Sequence, residues 1–229
     1  LVFDALDGKV ARMTDTSSEM GAQLDSFADC ITFGVAPAMV AKAMLEAEGL
    51  FHPRLNFLAA AIYALLAVVR LARFNLTTEP GEEHHRFFQG LPSPAAAGTL
   101  VATMLMILSL GGGVEGAGDE ATAVGKGLSF IPEVWRTNIA EFLEPTILLL
   151  LPALGFLMVS QVRYGHAMAK AVKSRGSSQT LVRWTIGALV LYQAPVPSLF
   201  LLGYFYVGRG LFQALRRRRQ SPDPLRKVG

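Results

Sequence analysis

The sequence predicts an all-α fold: a polytopic bundle of transmembrane helices with about six spans, preceded by the remainder of a truncated N-terminal helix. Three observations carry this. Of the 229 residues, 52% are hydrophobic and only 17% charged, against about a quarter charged in an average soluble protein. The apolar residues fall in long runs separated by short polar stretches, the pattern that a bilayer core imposes. The basic residues crowd into some of those polar stretches and avoid others. A single cysteine, Cys30, excludes an internal disulfide framework.

Leu1 opens the chain inside an apolar stretch with no start signal. Residues 1–13 are therefore expected to continue a helix begun upstream, with at least one further span before it. Five more apolar segments follow, at about 18–45, 55–75, 93–111, 145–163 and 181–211. One crossing needs around 20 residues, so the last segment is too long for a single span. It contains Pro195 and Pro197. Each proline lacks a backbone donor and clashes with the preceding turn, which predicts a tight helical hairpin there. Residues 111–144 read as a polar, glycine-rich connection. Residues 1–215 are thus expected to form one membrane-embedded domain, with 216–229 as a basic cytoplasmic tail.

Loop charge orients the bundle. The 163–183 connection carries Arg163, Lys170, Lys173, Arg175 and Arg183 with no acid, and the chain ends on Arg216–Arg219, Arg226 and Lys227. By contrast, 111–144 holds Glu115, Asp119, Glu120, Glu133, Glu141 and Glu144 against only Lys126 and Arg136. Basic loops stay cytoplasmic. With a hairpin in 181–211, the 10–17 turn, the 76–92 loop, the 163–183 loop and the tail all fall on that side. The Arg216–Arg219 run reads as a topology anchor beside anionic lipid headgroups, not as a nucleic-acid site.

Four carboxylates sit where a membrane helix should have none. Asp4 and Asp7 are three apart, Asp25 and Asp29 four apart, so each pair shares a helical face. Gly21 lies one turn before Asp25. Thr16 and Glu19 have capping-box spacing, so the second helix is expected to start just after Thr16. Asp7 and Asp25 are then each roughly 13 Å from the turn on antiparallel helices, with Asp4 and Asp29 paired one turn deeper. An ionised Asp at the bilayer centre is disfavoured by about 2.5–3.5 kcal/mol. Four such groups point to a wet cavity and to neutralising cations. With no His or Cys in the cluster, these donors suit Mg²⁺ or Mn²⁺, and two such ions roughly 4 Å apart form a clamp for displacement at phosphorus. Gly8, Ala11 and Gly21 leave room for close approach of a substrate, and Lys9 and Arg12 offer charge for a phosphate.

The run Asp4-x2-Asp7-Gly8-x2-Ala11-Arg12-x8-Gly21-x3-Asp25-x3-Asp29 resembles, without gap or substitution, the signature of the CDP-alcohol phosphatidyltransferase family. The resemblance implies that Asp4, Asp7 and Asp25 hold metal, with Asp29 the general base and possible metal partner. It implies that Gly8, Ala11, Arg12 and Gly21 line the nucleotide pocket. It further implies CDP-diacylglycerol as donor, a homodimer, and a bacterial or archaeal cell membrane with the site facing the cytoplasm.

The signature does not choose the acceptor. Ile31–Ala38, Arg70-Leu71-Ala72-Arg73-Phe74-Asn75 and Phe87–Ala97 resemble the branch of that family whose acceptor is L-serine. The resemblance covers most of residues 1–100 and is weak beyond them. Serine carries a carboxylate and an ammonium, so its site needs a cation and polar neighbours. Arg70 and Arg73, with Asn75 and Gln89, are the candidates for the acceptor or a lipid phosphate. Glycerol 3-phosphate or an inositol phosphate is the alternative acceptor, and a divalent-cation transporter or a non-catalytic scaffold the alternative class.

Overall fold

A computed structural model describes residues 19–77, 90–111, 131–160, 162 and 178–220, and every element among them is helical. In chain order these are α1 (Glu19–Asp29), a π-helical turn (Cys30–Val35), α2 (Ala36–Ala47), α3 (Pro53–Thr77), α4 (Ser93–Ser109), α5 (Glu133–Leu143), α6 (Thr146–Val159), α7 (Ser178–Gln193) and α8 (Pro195–Gln220). Two helical stretches are long and apolar enough to cross a membrane, Gln23–Ala47 and Pro53–Asn75. The number rises to four if each bent pair, α5 with α6 and α7 with α8, makes one span. Helix α4 is apolar but only 17 residues long. The described residues thus define two to four crossings.

Proline decides where the chain bends. Pro37, in the first turn of α2, has no N–H for the carbonyl of Phe33 four residues back. The backbone widens there into the π turn, and Tyr63 of α3 donates its hydroxyl to the Phe33 carbonyl at 3.0 Å. At Glu144-Pro145 the axis turns by 49° between α5 and α6. Pro195 and Pro197 leave the carbonyls of Leu191 and Gln193 without helical donors, and the chain breaks at Ala194 and turns by 119°. The break falls where the proline pair predicts it, although the turn stops short of a closed hairpin.

One expectation is corrected. The 111–144 stretch is not wholly a connection, since residues 133–143 form α5. Its first turn follows Pro132, whose fixed φ suits helix entry. Helix α8 runs through Arg216–Arg219 and ends at Gln220.

Packing centres on one face of α3, where Asn56, Ala59, Ala60, Tyr63 and Ala67 are all buried. Small residues let its neighbours approach closely. A Cβ built on Gly155 of α6 would lie 3.3 Å from the Tyr63 Cα, and one on Gly34 of the π turn 3.1 Å from the Ala67 Cβ. Helices α4 and α8 meet in the same way, with Gly203 against Thr99. Thr103 and Tyr204 hydroxyls lie 3.3 Å apart beside that contact.

The entry to α4 is pinned to the end of α6. The Gly90 and Leu91 amides donate at 2.8 and 2.9 Å to the Val162 carbonyl just beyond α6 and to the Leu157 carbonyl in its last turn, a helix end that lacks backbone donors of its own. The end of α3, the start of α4 and the end of α6 therefore gather at one end of the bundle, from which the 76–92 and 163–183 connections leave. Gly90 has φ +89°, and a Cβ there would fall 2.1 Å from the Met158 carbonyl oxygen. Gly90→Ala is expected to cost about 2 kcal/mol or more, read as a lower midpoint of thermal unfolding in detergent. Gly98→Ala, at an α4 position with open space around it, should leave that midpoint unchanged or raise it.

Candidate active site

Helix α1 brings Asp25 and Asp29 to successive turns of one face, with Gly21 a turn before them. Asp25 is exposed and Asp29 half-buried. Asp29 is the last α-helical residue and stands at the N-cap of the π turn. Such wide turns recur at functional sites because they rotate the following side chains out of ordinary helical register. The Tyr63 hydroxyl bond at Phe33 holds this turn from across the bundle.

Beside Asp29 opens a small cavity of about 40 Å³. Asp29, Cys30 and Gly34 line it from the first segment, Ala67, Arg70 and Leu71 from α3, and Ser93 and Pro94 from α4. The contact between Gly34 and Ala67 brings the first two walls together. Arg70 donates from Nη1 to the Ser93 hydroxyl at 2.8 Å, while its Nε is buried without a hydrogen-bond partner among the described residues. Tyr206 of α8 lies within electrostatic reach of the same guanidinium. The cavity thus presents an acid, a guanidinium and a hydroxyl from three segments.

Asn75, near the end of α3, donates from Nδ2 to the Ser26 hydroxyl at 3.2 Å and ties α3 to the helix that carries the aspartates. Arg73 is exposed on the same stretch. Asp4, Asp7, Gly8, Ala11, Arg12 and Gln89 lie outside the described residues. Among those described, no group of three or more His, Cys, Asp or Glu side chains is gathered for a metal. Asp25 and Asp29 make half of the expected donor set, and their hard oxygens one turn apart suit a hard divalent cation.

The sequence reading missed Ser93, Cys30 and Tyr63. Ser93 was legible only as a serine before a proline at a helix start. Tyr63 had one signal, the spacing of Phe33 and Pro37 that creates a carbonyl in need of a donor.

Residues 1–131 match the profile of the CDP-alcohol phosphatidyltransferase family. Curated relatives named CDP-diacylglycerol–serine O-phosphatidyltransferase match part of the chain. The protein of Mycobacterium tuberculosis (strain H37Rv) is 37% identical over 115 residues, covering 49% of this chain and 39% of the relative. That of Helicobacter pylori (strain 26695) is 40% identical over 106 residues, covering 46% and 43%. That of Methanocaldococcus jannaschii is 41% identical over 109 residues, covering 48% of each. The aligned part spans less than half the length of each relative. The match leaves the cation-transporter alternative without support.

Removing the donor that holds the π turn tests its place in the site. Tyr63→Phe is expected to lower stability by about 0.5–1.5 kcal/mol. Amide hydrogen exchange should quicken at residues 30–36 while the amides of α6 keep their protection.

Proposed function

This chain belongs to the CDP-alcohol phosphatidyltransferase family, and from that premise we propose that it transfers the phosphatidyl group of CDP-diacylglycerol to L-serine, releasing CMP. The observation that carries this reading is the cavity that Asp29 and Arg70 line together, with Asp25 one helical turn before Asp29. The serine acceptor is further supported by the names of the relatives.

In this reading Asp4, Asp7 and Asp25, with Asp29 as a possible fourth ligand, would hold two Mg²⁺ or Mn²⁺ ions. The ions, when bound, neutralise the pyrophosphate and stabilise the departing charge. Gly8, Ala11 and Gly21 leave the nucleotide room between helices, and Arg12 adds a positive charge to its phosphates. Asp29 accepts the proton of the acceptor hydroxyl. The hydroxyl oxygen then forms a bond to the lipid-side phosphorus, and the bond from that phosphorus to CMP breaks with its electron pair. Arg70 holds the acceptor's carboxylate. Arg73, Asn75 and Gln89 complete the polar rim, Asn75 through its bond to Ser26. The enzyme is a six-span homodimer in a bacterial or archaeal cell membrane, its site facing the cytoplasm and its basic segments anchoring that side.

The test uses purified protein with CDP-diacylglycerol, Mn²⁺ or Mg²⁺, and each labelled alcohol in turn. Serine-dependent CMP release is expected, and release only with glycerol 3-phosphate or an inositol phosphate would move the reading within the family. Turnover should stop on chelation and return with either ion. Asp29→Asn is expected to lower the rate by about 10²–10⁴-fold while CDP-diacylglycerol still binds. Robust turnover by that variant would remove Asp29 from the role of base.

A further inference from the structure

We propose that Ser93 is a positioning residue that turns the Arg70 guanidinium so that its Nε edge, and not its tip, receives the carboxylate of the acceptor. The proposal deepens the transferase reading and rests on it.

The geometry comes from three segments. Arg70 sits toward the C-terminal end of α3 and Ser93 opens α4, 23 residues later in the chain. Ser93 is itself only 8% exposed, and its hydroxyl takes the Nη1 hydrogen of Arg70 at 2.8 Å. A guanidinium is a planar fork with fixed donor directions. Once Nη1 is committed to Ser93, the side-on edge made by Nε and Nη2 is the remaining bidentate face. The Nε on that edge is buried and has no partner among the described residues. A buried, charged donor without an acceptor is costly, so such a group calls for a partner that the protein does not itself supply. Carboxylates match the side-on edge with two parallel bonds.

The position of Ser93 is itself fixed from behind. Gly90 and Leu91 are tied to the end of α6, and Pro92 is the N-cap of α4, so the hydroxyl is set by backbone contacts rather than by a loose loop. Asp29 lines the same cavity. A small amino alcohol with its carboxylate on the Arg70 edge can therefore present its hydroxyl toward Asp29. This arrangement makes the carboxylate the feature by which the acceptor is chosen. A phosphate of the lipid donor has the same oxyanion chemistry, and the kinetics separate the two.

The experiment compares wild type with Ser93→Ala, Ser93→Thr and Arg70→Lys, using L-serine and serinol, which replaces the carboxylate by a second hydroxymethyl group. Ser93→Ala is expected to raise KM for serine by about tenfold with a smaller change in kcat, since one charge-assisted bond that orients the fork is lost. KM for CDP-diacylglycerol should not move. The preference for serine over serinol should fall by the same factor, and Ser93→Thr should restore most of it. Arg70→Lys, which keeps the charge but removes the fork, should lose that preference even if Ser93→Ala fails to fold. A rise in KM for CDP-diacylglycerol instead of serine would assign the edge to the lipid phosphate and overturn the proposal. So would equal losses with serine and serinol. If wild type releases CMP with another alcohol and none with serine, the serine reading falls and takes this proposal with it. An active wild type with unchanged serine kinetics in Ser93→Ala and Arg70→Lys sinks the proposal alone.

Discussion

A carbonyl without a donor organises much of this molecule. Pro37 cannot supply an N–H to Phe33, and in a bilayer there is no water to take its place. The chain answers by widening into a π turn and by accepting a hydrogen bond from Tyr63, a fully buried residue in the middle of α3. That bond ties the helix bearing Asp25 and Asp29 to the centre of the core. The acid that ends α1 and the packing face of α3 are thereby held by the same contact.

Close approach between helices then determines what the site can contain. Gly34 meets Ala67 and Gly155 meets Tyr63 and Leu66 with little space between backbones. Larger side chains at either glycine would push α3 away from its neighbours and carry Arg70 from the cavity that Asp29 lines. The third wall comes from Ser93, fixed through Gly90 and Leu91 to the end of α6. Polar groups of three segments meet because their supports are apolar, small and rigid.

Some of this was legible beforehand. The helical class followed from apolar runs too long for anything else in a bilayer, and the shared face of Asp25 and Asp29 followed from a four-residue spacing. The break in 181–211 followed from two prolines, since a missing donor acts locally. Helix α5 was not legible, because Glu133 and Glu141 read as loop polarity while the turn after Pro132 organises them into a helix. The π turn was hidden because an extra residue per turn shifts every later side chain out of the 3.6-residue pattern on which periodicity depends. Among the described residues two to four crossings are defined, since hydropathy marks apolar stretches and does not register where proline bends divide them.

What the sequence by itself determined is the set of chemical groups and their local order: acids one turn apart, arginines on the following helix, prolines at the bends. Each depends on covalent neighbours or a single helical turn. Only the tertiary structure decided that Tyr63 serves Phe33 across 30 residues, that Asn75 reaches Ser26 across 49, and that Ser93 meets Arg70. Those pairings depend on how near two helix axes approach and at what rotation. Both are set by glycines and alanines whose meaning appears only when the opposite helix is in place.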